Sequence, residues 1–99
     1  MTTQMNFEKI LHDIESPSVS LSMLLSLLAD HPPSEYKDLP FLARSLDSLE
    51  KRLAVARDIA ANLDTYTFLS ENEKTQLLEA SDELERVDTE IKRIRALKE

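Results

Sequence analysis

The sequence predicts an all-α fold, and three observations carry that prediction. The first is the complete absence of glycine from 99 residues, where average usage of about 7% would place roughly seven. That absence removes tight strand-to-strand hairpins and glycine-rich phosphate loops. The second is spacing. Apolar residues recur in steps of three and four at Leu39, Leu42, Leu46, Leu49, Leu53, Ala56, Ala60 and Leu63, and again at Leu77, Ala80, Leu84, Val87, Ile91 and Ile94. A 3.5-residue seam of this kind lets one helix lie along another. The third is register. Folding the chain back at Ser70 sets Leu63 opposite Leu77, Ala60 opposite Ala80, Ala56 opposite Leu84, Leu53 opposite Val87, Leu49 opposite Ile91 and Leu46 opposite Ile94.

The expected architecture is a long antiparallel, coiled-coil-like helical hairpin, 39–66 and 71–97, with two short N-terminal helices completing a helical bundle. Residues 1–99 form one domain: an N-terminal helix pair over 1–30, a proline-rich connector over 31–38 and the hairpin over 39–99.

In chain order, the first helix is expected over Thr3 to Glu15, where Phe7, Ile10, Leu11 and Ile14 form one apolar stripe. Ser16-Pro17 should interrupt it, because proline is disfavoured inside a helix but favoured at its first position. A second helix then runs from Pro17 to Asp30. Val19, Leu21, Met23, Leu24, Leu25, Leu27 and Leu28 surround nearly its whole circumference, and a helix apolar all round calls for cover on every side. The prolines of Asp30-His31-Pro32-Pro33-Ser34 end it, and Tyr36 is placed to anchor this connector to the core. The third helix begins near Asp38 or Leu39, with Pro40 in its first turn. It weakens around Thr65-Tyr66-Thr67-Phe68, where β-branched and aromatic residues lower helix propensity. Ser70-Glu71-Asn72-Glu73 matches a capping box, so a fourth helix should run unbroken from Glu71. Its acids precede Lys92, Arg93, Arg95 and Lys98, an order that complements the helix dipole. Across the hairpin, Arg52 should face Glu90 and Asp64 should face Lys74, with Glu50 unfavourably near Asp88.

Composition narrows the function classes. There is no cysteine, hence no disulfide framework, thiolate metal site or cysteine nucleophile. The net charge of −7 opposes nonspecific binding to phosphate backbones, so no nucleic-acid partner is expected. The longest apolar run, Leu21 to Ala29, is far short of the ~20 residues of a membrane span. The N-terminal residues resemble neither a secretory signal nor a transit peptide. The expectation is a soluble cytoplasmic protein.

Candidate chemical groups are sparse. His12 lies beside Asp13 and off the apolar stripe, without the second ligand that a metal site needs. His31 is placed to cap the second helix's carboxyl end. The acidic run Glu79 to Glu90 reads as a solvated exterior. No base accompanies Ser20, Ser22 or Ser26 to make a nucleophile. No catalytic, cofactor or metal site is expected.

Surfaces say more. The third helix carries a second apolar strip, Phe41, Val55, Ile59 and Tyr66, along which the N-terminal helices should dock. Helices one and two hold more apolar surface than that strip covers. The sequence therefore points to self-association as a homodimer, or to a protein partner, with Val19, Met23, Leu24, Leu27 and Leu28, together with the Phe41, Val55, Ile59 and Tyr66 strip, forming the interaction surface. The expected role is a non-catalytic protein–protein interaction module: a small helical adaptor, assembly subunit or chaperone. Two alternatives stand beside it. One is an acidic inhibitor of the antitoxin, immunity or anti-activator type, blocking a basic site through Glu79, Glu83 and Glu90. The other is a histidine phosphotransfer module acting through His12.

Overall fold

The computed structural model describes residues 6–98, and of Lys98 its backbone. The expected helix start at Thr3 lies outside these residues. Among them the chain is helical with no strand: α1 (Phe7–Leu28), α2 (Pro40–Ala61), α3 (Glu71–Ser81) and α4 (Glu83–Lys98), with short 3-10 helices at Pro33–Asp38 and Leu63–Thr65. The four helices pack against one another. α1 lies chiefly along α2 and also touches α3 and α4, while the 3-10 helix at Pro33–Asp38 rests on α4.

The expected break at Ser16-Pro17 is not there. α1 is one helix of 22 residues with Pro17 inside it. Its buried positions explain why: Ile10, Ile14, Pro17, Leu21, Leu24 and Leu28 follow one another in steps of four and three, a continuous seam that a break would throw out of line. Interior proline costs about 3 kcal/mol through its lost N–H and its clash with the preceding turn. Five buried Leu and Ile side chains at roughly 1.5–3 kcal/mol each exceed that cost. Ser16, expected to cap a new helix, instead accepts a hydrogen bond from Arg52 Nη1 at 2.8 Å. The actual cap is Asn6, whose side chain accepts from the Lys9 amide.

The connector winds into the 3-10 helix at Pro33–Asp38 with Tyr36 buried, and α2 opens with Pro40 at its first position. Ser70 and Glu73 form both halves of the capping box at the start of α3.

The fourth expected helix is divided in two. Asp82 keeps right-handed helical angles, but its N–H donates to the Glu79 carbonyl, three residues back, at 3.2 Å. The neighbouring Ser81 hydroxyl donates to the Leu78 carbonyl at 2.7 Å. A serine that bonds back onto its own helix in this way competes with the regular ladder and distorts it.

The core falls into two clusters. The larger joins Leu21, Leu24, Leu28 and Tyr36 to Leu42, Leu46, Leu49, Leu53 and Ala56 of α2 and to Leu84, Val87, Ile91 and Ile94 of α4. The smaller holds Ile10, Ile14, Ile59, Leu63, Leu69 and Leu77. Ala60 and Ala80, expected in the seam, are only half-buried, and Ile59, in the strip along which the N-terminal helices are expected to dock but also named for the interaction surface, is buried. The cause is α1. It packs against that side of α2, so Ile59 meets Ile10 and Ile14 while Ala60 is turned partly away.

Ion pairs across the helices run close to the expected register with different partners. Asp64 does meet Lys74, at 3.5 Å. Glu50 avoids Asp88 and instead joins Asp47 in binding Arg95, at 2.6 and 2.9 Å. Asp88 lies 3.5 Å from Arg57 and 2.9 Å from Lys92. Arg52, expected opposite Glu90, turns toward α1.

Candidate functional site

The heptad on α1 buries one face and leaves another face apolar. Val19, Met23 and Leu27 fall in steps of four, off the core seam, and are 59%, 65% and 56% exposed. Val55 of α2 is 54% exposed and lies on the same side of the bundle, where it helps line a depression shared with α1. Exposed apolar residues scattered singly are ordinary, whereas a row along one groove is not.

The groove lies between α1 and α2. At its centre is a depression of about 330 Å³ lined by Ser20, Met23, Leu24 and Leu27 from α1 and by Arg44, Ser45, Ser48, Leu49 and Arg52 from α2. It continues toward the start of α1 past His12, Glu15, Ser16 and Val19, and onto α2 at Lys51 and Val55. Arg52 lines every one of these depressions. Its hydrogen bond to Ser16 holds the guanidinium across the two helices.

The electrostatics of this face differ from those of the rest of the molecule. The chain carries −7 overall, and most of its described cations are matched by acids. Lys9 pairs with Asp13, Arg57 with Asp88, Lys74 with Asp64, Arg86 with Glu83, Lys92 with Asp88, Arg93 with Glu90, and Arg95 with Asp47 and Glu50. Among the described residues Arg44, Lys51 and Arg52 of α2 and Lys37 of the connector take part in no ion pair. The three on α2 line the groove.

The matched pairs perturb their carboxylates. Partial burial pushes the Asp13 carboxyl up, but hydrogen bonds from Lys9 and His12 outweigh it and hold the group below its usual range. The hydrogen bond from Lys92, with Arg57 nearby, lowers Asp88, and that from Arg93 lowers Glu90. Hydrogen bonds to Glu50 and Asp47 raise Arg95.

The residues expected to form an interaction surface are thus divided. Val19, Met23, Leu27 and Val55 are on the groove face, whereas Leu24, Leu28 and Ile59 are core residues, and Phe41, in the first turn of α2, and Tyr66, after the 3-10 helix that follows α2, are half-buried. Leu24 and Leu28 would face outward only if α1 were two helices. One continuous seam turns them inward. Arg44, Lys51 and Arg52 do not stand out as a set in the sequence, although their spacing of seven and one puts them on one side of a helix.

The two histidines are far apart in role. His12 is exposed, with Nδ1 3.4 Å from an Asp13 oxygen. His31 follows the end of α1, where its amide donates to Leu28 and its Nδ1 lies 3.0 Å from Glu35 Oε2. Among the described residues no group of three or more His, Cys, Asp or Glu could hold a metal ion, and no helix is long and apolar enough to cross a membrane. On the acidic run, Glu83 and Glu90 are engaged by Arg86 and Arg93.

Comparison of the chain with protein-family models, with curated proteins and with solved structures finds no match.

Proposed function

We propose that the chain is a non-catalytic protein–protein interaction module, an adaptor, assembly subunit or chaperone that presents the α1/α2 face to another protein surface. In this reading α2 and α3–α4 act as an antiparallel, coiled-coil-like hairpin that frames α1. The observation that carries it is the row of Val19, Met23 and Leu27 beside Val55, large apolar side chains more than half exposed along one groove. Covering them removes apolar area from water at roughly 25 cal/mol per Å². The surface to be covered is narrower than an all-round apolar helix would present, since Leu21, Leu24 and Leu28 are satisfied within the chain. Self-association as a homodimer would use this same face.

An inhibitor acting through the acids of α3 and α4 has less to offer a basic target, because two of its three expected contacts, Glu83 and Glu90, already bind arginines.

The test is a photoreactive residue placed at Met23, with the same residue at Leu97, on α4, as control. Irradiation of cells that natively make the protein should give protein adducts from position 23 and few from position 97. Equal yields from both positions would refute the reading, and so would no adducts at either.

A further inference from the structure

We infer that the groove between α1 and α2 receives an acidic amphipathic helix of a different protein, one whose apolar row is flanked by Glu and Asp. The inference rests on the proposed interaction role and adds the chemistry of the occupant.

Shape is the first argument. The groove has two helical walls and runs from His12 to Leu27, a span of about 22 Å at 1.5 Å per residue. A helix of about four turns laid along it would form a further rod of the bundle, its apolar row on Met23 and Val55. Helix-in-groove recognition uses anchors at this spacing.

Charge is the second argument, and it selects among occupants. Arg44, Lys51 and Arg52 border the groove without an ion-pair partner among the described residues, on a chain with an excess of acid. Of the charged groups facing them from α1, Asp13 is already bound by Lys9, which leaves Glu15 as the one acid there with no ion pair among the described residues. A carboxylate-flanked helix would supply the missing counter-charge along the α2 wall, where all three cations sit. A second copy of this chain supplies it poorly. In a two-fold dimer through this face both copies bring the same three cations to one interface, and like charges meet. If the second copy instead offered the acids of α4, the contact would be head-to-tail, giving a ring or an open filament rather than a two-fold dimer.

The experiment is an NMR titration of the isotope-labelled full chain with three synthetic helical peptides long enough to span the groove. One has a leucine row flanked by Glu, one has the same row flanked by Lys, and one has the Glu peptide's composition scrambled so that no row forms. The Leu/Glu peptide should shift amides between His12 and Leu27 and between Arg44 and Val55, and should bind at least about tenfold more tightly than either other peptide. Its binding should weaken as salt rises through the physiological range. Reversing Arg44→Glu together with Lys51→Glu should weaken the Leu/Glu peptide by about tenfold or more and improve the Leu/Lys peptide, with an unchanged circular dichroism spectrum. If both leucine peptides bind equally, the inference about charge falls while the proposed interaction role stands. The same holds if the groove amides shift with protein concentration alone as the mass doubles. If no peptide binds and the photoreactive residue at Met23 gives no adduct, both fall.

Discussion

Replacing Pro17 with alanine should make the protein more stable, although the ring is fully buried. Pro17 sits inside α1, where it leaves the Asp13 carbonyl without its usual N–H donor and crowds it with the ring. Relative to alanine this costs about 3 kcal/mol. Against the gain stands the loss of two ring methylenes from the core, about 0.8 kcal/mol each. Unfilled space subtracts more, at about 24 cal/mol per Å³, so a residual void of about 40 Å³ would remove about 1 kcal/mol. The balance favours Pro17→Ala by about 0.4–1.4 kcal/mol, the lower figure with the void and the upper without it. For a domain of this size that corresponds to several degrees in Tm, at about 4–8 °C per kcal/mol. Urea denaturation followed by far-UV circular dichroism reads the change, with an unchanged m-value as evidence that the same surface is buried. A variant less stable than the parent by 1 kcal/mol or more would refute the reasoning. It would mean that the ring's packing between α1 and its neighbours, not the seam around it, holds the helix in line.

The remaining expectations concern stability and opening. Arg95 binds Glu50 and Asp47 across α4 and α2 with partial exposure, so a double-mutant cycle of Arg95→Ala with Glu50→Ala should give a coupling of about 0.5–1 kcal/mol that shrinks in high salt; zero coupling at low salt would refute the pairing. Asp13, Asp88 and Glu90 have carboxyls lowered in the folded state, so as pH falls the unfolded chain binds protons first. The stability these groups contribute is therefore present above the ordinary carboxylate range and lost below it, toward their folded values. Urea midpoints should fall as pH drops below about 4, and a flat profile would contradict the assignment. The Ser18 hydroxyl is buried without a hydrogen-bond partner among the described residues. Ser18→Ala should accordingly be neutral or stabilising by up to about 1 kcal/mol, where a loss of more than 1 kcal/mol would reveal a bond the hydroxyl makes. Finally, amide exchange should be faster at Ile10, Ile14 and Leu77, in the smaller core cluster, than at Leu46, Leu49 and Ile91, in the larger. Equal protection would indicate a single cooperative core.

Much of the fold is legible in the sequence because apolar spacing is a direct record of which helix face is buried. The positions Leu46, Leu49, Leu53, Leu77, Leu84, Val87, Ile91 and Ile94 are all buried, and Ser70 caps as its sequence context implies. Pro17 misleads because its local propensity takes no account of the seam that runs through it. Once α1 is continuous, Leu24 and Leu28 must turn inward, and the surplus apolar surface contracts to Val19, Met23 and Leu27. The strip Phe41, Val55, Ile59 and Tyr66 divides instead. Ile59 packs with Ile10 and Ile14 where α1 docks, while Val55 stays more than half exposed, and which strip residues α1 covers depends on the line it takes across α2. The unmatched cations cannot be found from sequence alone. Arg52 looks like a partner for Glu90, yet Arg93 takes that glutamate and Ser16 takes Arg52. Which charges remain without partners is a property of the assembled helices.

The division of the core has a mechanical side. Pro17 separates Ile14 of the smaller cluster from Leu21 of the larger, and Asp82 separates Leu77 from Leu84 in the same way. On α2 the division falls between Ala56 and Ile59 without any interruption of the helix. Two of the three rods therefore have a gap or a shift in their backbone ladder at the level where the two core clusters meet, and only α2 crosses that level intact. Flexure of the bundle is expected to concentrate there, with α2 as the continuous spine. The groove borders the same spine, so an occupant lying from Leu27 to His12 would span the weak level and act as a splint.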